Sequence, residues 1–539
     1  MLNKLPLDRP LFSYSSGRFL YNEPARLRER HVEFNASALE EAITMHVGHG
    51  NVKSLVKISE GGFNRVLLAT MEDGFQAIVK IPFWISVPNT YATASEVATL
   101  TFLRAKGIPV PEVYAWSSTT ENPVGVEYII MEYASGVGAD TRWFKNTKHQ
   151  KHALVTGIVN FEKTLFEIPF GAVGSLYFKS DLPPKLQSPL YRAGTPDEAG
   201  DSQIYCIGPI TDYMFWYGQR AEMELDRGPW NDPKDYLIAT AEKEIQWITK
   251  FGKPVESDFP HNTVFPGIRS PQDYLVLLEK YLSIAPHLLP RTQESSLSRF
   301  TLRHPDLTPS NVFICPDTLN VKCIIDWQHT VITPLLLASG YPKMFENPDP
   351  EPPTGLVPPK YPPGYDTMNP EEKSEVDELI RRQSFFYLYR VFNGGLNKIH
   401  LEALRNPLIL QRQHVVDLAG RQWSGNLISL RGALMRIRDF WQHLPVDDKP
   451  STCPIEFSEQ ESDDQTENEP MWYNLNALVS HWRDELGGLS EEGWLPSDKY
   501  DSAVKRNESL KAEFAEGGSP DELEKIRRGW PFQDHEEFF

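Results

Sequence analysis

The chain has 539 residues, 40% of them hydrophobic and 24% charged, with 44 prolines. That is room for roughly two to four domains and a large core, in the composition range of soluble globular proteins, with long proline-bearing loops. A formal net charge of −19 argues against a general nucleic-acid binder, which needs cations to neutralise phosphates; solubility alone explains it, and it would suit a cationic small molecule.

The N-terminus, MLNKLPLDRPLFSYSSGRFL, has Lys4, Arg9 and Arg18 but also Asp8 and two prolines. It lacks a secretory apolar segment and is a weak mitochondrial presequence. Residues 1–50 read as a tether and one helix in FNASALEEAITMHVG, capped by Asn35 or Ser37. Short strands follow in VKSLVKISE, FNRVLLATM and FQAIVKIPF, then a helix in TASEVATLTFLRAKG ending at Gly107. PVPEVYAW and GVEYIIMEY return to strand patterns. Residues 147–300 read as mainly helical, with a strand-like break at GAVGSLYF and helices in MFWYGQRAEMEL and DPKDYLIATAEKEIQWITKFG. NVFIC and VKCIIDW, joined by PDTLN, form a hairpin pattern. Residues 342–363 are proline-rich and acidic, an extended loop; 370–445 are helical again. The acidic stretch 456–469 reads as a linker without structure, and two closing helices follow. The domain division expected is 1–50, 51–135, 136–445 and 446–539. Cys206, Cys315, Cys323 and Cys453 form no C-x-x-C pair and no disulfide framework, which points to a reducing, intracellular compartment. No apolar run approaches the roughly 18 residues of a membrane-spanning helix.

Six features stand in one order. Gly61 and Gly62 allow a tight turn between two strands that could approach a phosphate closely. Lys80 ends a strand and could hold α- and β-phosphates, and Glu96 on the next helix could pair with it. VEYIIMEY supplies an apolar strand whose end, at Glu132 and Tyr133, could offer backbone groups to a base. In RHPDLTPSN, Asp306 would take or orient the proton of an attacking hydroxyl, His304 would brace the loop, and Asn311 would meet a magnesium ion. IIDW then places Asp326 at the end of an apolar strand, a hard oxygen ligand for Mg²⁺. Singly, each has a plain structural explanation: a hairpin turn, a strand-end lysine, solvated helix surface, a buried strand. Together they describe in-line phosphoryl transfer by positioning and charge neutralisation.

With RHPDLTPSN followed by IIDWQH, the chain resembles the aminoglycoside phosphotransferase and choline kinase group of the protein-kinase-like superfamily. SSGRFLYNE, EGGFNRVLL, IPVPEVYAW, NPVGVEYIIME and DRGPW resemble, more narrowly, a fungal branch related to altered-inheritance-of-mitochondria protein nine. The resemblance implies an α+β, two-lobed fold with a β-rich N-lobe, a hinge and a mainly helical C-lobe extended at its C-terminus. It implies ATP and Mg²⁺, with Lys80 on phosphates, Glu96 on Lys80, Asp306 as base and Asn311 and Asp326 on metal. It also implies a mitochondrial location, against which the weak leader leaves the cytoplasm as an alternative. Pro305, Thr308 and Gln328 depart from the wider pattern, and no A-P-E activation segment is present, so a small-molecule acceptor is expected rather than a protein. Two functions stay open: a small-molecule kinase, or a nucleotide-binding scaffold in mitochondrial maintenance. Trp216 and Trp230 are candidates to hold a cationic acceptor.

Overall fold

In the computed structural model, which describes residues 9–142, 146–290, 295–349, 353, 355–446 and 449–535, five antiparallel strands form the N-terminal sheet. They are β1 (Val52–Glu60), β2 (Asn64–Met71), β3 (Gln76–Pro82), β4 (Val113–Ser117) and β5 (Tyr128–Glu132), in the order β1-β2-β3-β5-β4. Side chains alternate across a strand, so Val79 and Ile81 of β3 enter a core shared with Leu67, Ala69 and Met71 of β2. Leu39 and Ile43 of helix α1 (Ala36–Val47) close that core from outside. Asn35 caps α1, accepting a hydrogen bond from the Ala38 N–H. The alternate residues of β3, Ile78 and Lys80, face the other way. Ile78 packs on the second, larger core, and on that side lies helix α2 (Tyr91–Ala105). Helix α2 is buried on nearly every face, because it also packs on the strand Ser175–Phe178 of the second lobe.

The second lobe has one large core and a small separate cluster at Tyr177, Leu182 and Cys206 among the described residues. The large core gathers side chains from the helices Lys148–Glu167, Pro233–Phe251, Pro271–Ile284, Pro370–Leu396, Ile409–Ala419 and Ile428–Asp439, and from the strands Phe300–Leu302, Val312–Ile314 and Val321–Ile324. The last two strands form the expected hairpin, and all four cysteines are free thiols. A two-lobed α+β fold results.

A third core joins the chain ends. Tyr21 and Phe259 meet Trp482, Leu510, Ile526, Trp530 and Phe532, and Arg18–Phe19 pairs antiparallel with Trp494–Leu495. Residues 1–8, on which much of the leader expectation falls, lie outside the described residues.

Two expectations fail. MFWYGQRAEMEL forms only short 3-10 turns at Tyr213–Phe215 and Gly218–Glu222. Gly218 sits at φ 60, which breaks the helix between them. The acidic stretch 456–469 is not a structureless linker, since helix Glu459–Glu485 runs through it. Ser458 and Glu461 form a capping box at its start, Gln465 is buried and donates to the Ile428 carbonyl, and Glu469 pairs with Arg436 at 2.9 Å. Composition describes the isolated stretch; these partners lie more than thirty residues away. Among the described residues, no helix is long and apolar enough to cross a membrane.

Candidate active site

Strand β3 sets Lys80 opposite Val66 and Ile129, with its side chain toward α2. Its ammonium lies 2.7 and 2.9 Å from the two Glu96 carboxylate oxygens and 2.9 Å from Asp326 Oδ1. The two carboxylates differ. Glu96 is only 4% exposed, whereas the side chain of Asp326 is 46% exposed. Burial alone would lower the Lys80 pKa; the charges of Asp326 and Glu96 outweigh it and hold the ammonium up to about 12. Asp326 is pulled below the usual carboxylate range, chiefly by the Lys80 charge, so it stays anionic. Burial pushes Glu96 up.

Asp326 has φ 64, a left-handed backbone that aspartate tolerates better than most residues. Trp327, fully buried, anchors the chain just past it, its indole N–H donating to the Ile324 carbonyl. His304 ties this segment to the loop of Asp306. Its Nε2–H donates to the Ile325 carbonyl at 2.9 Å, and its Nδ1 accepts the Asp306 N–H at 3.1 Å. That pattern needs the neutral ring, and burial lowers the His304 pKa accordingly. Asn311 donates from Nδ2 to the Asp306 carbonyl at 2.9 Å, and its own carbonyl accepts the Ile325 N–H at 3.0 Å. The structure thus brings His304, Asp306, Asn311, Asp326, Lys80 and Glu96 into one connected set.

Asp306 Oδ1 is shielded from solvent and accepts no aligned hydrogen bond, although Lys343 Nζ lies 2.9 Å away. Beside it is a cavity of about 390 Å³, lined by Asp212, Leu307, His329, Val331 and Tyr341 among others.

Gly61 and Gly62 close the β1–β2 turn, where the Gly61 N–H donates to the Asn64 carbonyl. Neither has a left-handed φ, and a Cβ on either would meet nothing within 4 Å. The turn itself therefore does not require glycine. Sequence reasoning missed what holds this turn. The Phe63 ring lies 5.2 Å from both Tyr213 and His329. Asn64 donates to Gln328, and Gln328 donates to Ser86. Gln328, noticed only as a departure, fastens the roof of the cleft to the Asp326 loop.

Three expected contacts do not form as expected. The Glu132 N–H already donates to the Glu112 carbonyl at 2.8 Å, and its carboxylate accepts from Arg104 at 3.1 Å. The Glu132 N–H is therefore already taken. Trp230 is buried, with its indole N–H on Asp226, and packs against Phe215 and Tyr236. The face of Trp216 is covered by the Arg227 guanidinium at 3.8 Å. Neither tryptophan is free to receive a ligand cation. Lys343 carries no local motif and was not foreseen.

Magnesium is commonly held by one or two protein oxygen ligands, with phosphates and water completing the shell. Asp326, anionic and open to the cleft, together with Asn311 on the adjoining loop, fits that donor set. Among the described residues no cluster of three or more His, Cys, Asp or Glu forms an all-protein metal cage.

No family model matches the chain. It is 32% identical over 518 residues to a subtelomeric hrmA-associated cluster protein of Aspergillus fumigatus, covering 90% of this chain and 97% of that protein. It is 25% identical over 528 residues to altered inheritance of mitochondria protein 9, mitochondrial, of Yarrowia lipolytica, covering 91% and 85%. Among solved structures, an aminoglycoside phosphotransferase in a ternary complex with streptomycin and ATP matches 75% of this chain and 97% of its own, at 14% identity and a TM-score of 0.36. A likeness of that size carries no argument about substrate.

Proposed function

The chain belongs to the fungal family of the subtelomeric hrmA-associated cluster protein and altered inheritance of mitochondria protein 9, and from that premise we propose that it is an ATP- and Mg²⁺-dependent phosphotransferase acting on a hydroxyl or amine of a small molecule. The observation that carries the proposal is the Lys80 ammonium held between a buried Glu96 and a cleft-facing Asp326. A buried lysine needs one carboxylate for charge balance; a second, half-exposed one faces the solvent side, where a cation–phosphate complex would sit.

Lys80 would bind the α- and β-phosphates of ATP, with Glu96 fixing its position. Asp326 and Asn311 would hold Mg²⁺, which supplies charge neutralisation on the phosphate oxygens. Gly61 and Gly62 would cover the phosphates, and backbone at Tyr133 and beyond would meet the base. Asp306 would orient the acceptor and take its proton, and His304 would keep the loop in place. The acceptor would occupy the cavity beside Asp306, between an N-lobe we assign to 51–135 and a C-lobe we assign to 136–445. We propose a mitochondrial location, which the names of its relatives support and fractionation of tagged protein would test.

The deciding experiment is a thermal shift with ATP, with and without Mg²⁺, on wild type and Asp326→Ala. Occupancy at about 100 times Kd adds roughly 2.7 kcal/mol. A magnesium-dependent shift lost in the variant supports the proposal; no shift in wild type at millimolar nucleotide refutes it. The fastening of the roof through Asn64, Gln328 and Ser86 favours a second reading, a nucleotide-binding scaffold with slow or no turnover. A phenotype that survives Asp306→Asn would select the scaffold.

A further inference from the structure

The loop from His304 to Asn311 contains no lysine or arginine. Its neighbour Arg303 is committed elsewhere, donating to Glu162 at 2.9 Å and to the carbonyls of Ala338 and Gly340 at 2.9 and 3.1 Å. The cation that reaches Asp306 comes from far downstream. Lys343 Nζ lies 2.9 Å from Asp306 Oδ1, and its side chain is 64% exposed.

So exposed a pair adds little to stability, because water screens it and the lysine stem loses entropy in holding it. The backbone beneath Lys343 is fixed nonetheless. The Met344 N–H donates to the Leu307 carbonyl, inside the loop of Asp306, at 3.2 Å. Met344 and Phe345 are buried, and Phe345 stacks on Tyr389 at 5.1 Å. Upstream, the Gly340 N–H donates to His400 Nε2 at 3.2 Å. A solvated ammonium on an anchored stem, aimed at the acceptor-side carboxylate and lining its cavity, is placed to meet an incoming charged group.

We propose that Lys343 is a catalytic residue whose ammonium holds the oxygens of the phosphoryl group during transfer; this rests on the phosphotransferase function proposed above. The acceptor oxygen forms a bond to the γ-phosphorus as the bond from that phosphorus to the bridging oxygen breaks. The electron pair of the broken bond leaves on ADP, and the acceptor proton passes to Asp306. Lys343 neither gains nor loses a proton; its charge offsets the negative charge spread over the transferring oxygens.

The test uses the full chain as wild type, Lys343→Met and Lys343→Arg. ADP release from ATP with Mg²⁺ is measured with water as acceptor. In parallel, thermal shifts are read with ADP and Mg²⁺ alone and with added aluminium fluoride, a mimic of the transferring group. Lys343→Met should slow ADP release about 100-fold while leaving the KM for ATP within about threefold. It should keep the ADP shift and lose the extra shift from aluminium fluoride; Lys343→Arg should restore part of both. Wild-type behaviour of Lys343→Met in the fluoride arm overturns the proposal, and so does a raised KM with unchanged kcat. Absence of any nucleotide shift in wild type would overturn the phosphotransferase function itself, whereas nucleotide binding with a fluoride shift indifferent to Lys343 would remove only this residue's role.

Discussion

Replacing Lys80 with methionine leaves two carboxylates facing each other without the cation between them. Glu96, 4% exposed, meets that ammonium with both oxygens, at 2.7 and 2.9 Å. Removing one partner of a buried pair costs about 3–5 kcal/mol, because the other is left as an uncompensated buried charge. The charge can escape by taking up a proton. Burial already raises the Glu96 pKa and Lys80 opposes it, so in Lys80→Met the folded value climbs further above the unfolded one. A group raised in the folded state keeps its stabilising share below the unfolded pKa and loses it as pH rises through the folded pKa. The deficit of Lys80→Met against wild type should therefore be small near pH 4.5 and full at pH 8. Lys80→Met/Glu96→Leu removes both charges and should recover most of the loss at pH 8. Urea titrations of tryptophan fluorescence without nucleotide, at both pH values, give the midpoints. Equal midpoints at pH 8 for the single and double variants would refute the reasoning, since Glu96 would then not be the source of the cost.

Trp482→Ala should cost about 3–5 kcal/mol in the third core, where the indole is 2% exposed and stacks on Phe259 and Trp530. Limited proteolysis should then cut first within residues 459–535, and an unchanged cleavage pattern would count against that packing. Gln328→Ala releases both Asn64 and Ser86; losing about 1.4 kcal/mol of closure corresponds to roughly tenfold faster nucleotide release, readable by stopped flow with a fluorescent ATP analogue, and an unaltered rate would show that Gln328 does not hold the roof. His400 is fully buried with its pKa well below 6.5, chiefly through burial and then through Arg303. Its share of stability is present above the unfolded pKa and is lost as pH falls below about 6.5, so His400→Gln should flatten the acid limb of a stability–pH profile, and an identical slope would exclude this residue as its origin.

Much of the site is legible in the chain because its chemistry is local. His304, Asp306 and Asn311 lie within one short loop, and the spacing that suggests a brace and a base is the spacing that lets His304 and Asn311 hydrogen-bond to Asp306 backbone groups. The strand alternation around Lys80 and the helical run around Glu96 likewise point both side chains to one side, and tertiary packing brings them together. Local composition misleads where distant partners decide, as at 456–469, where Gln465 and Glu469 find Ile428 and Arg436. It misleads equally at Trp216 and Trp230, whose aromatic faces suggest a cation site until Arg227 and the core are seen to occupy them.

By itself, then, the sequence determines the strand that carries Lys80, the helix that carries Glu96 and the loop that carries Asp306, because each follows from spacing along a few residues. Only the tertiary structure decides that Gln328 fastens the β1–β2 turn, that the chain ends close on each other through Arg18–Phe19 and Trp494–Leu495, and that Lys343 stands at Asp306. An exposed lysine, an amide and a two-residue strand leave no periodic trace in a sequence, and their partners are set by how separately folded segments pack.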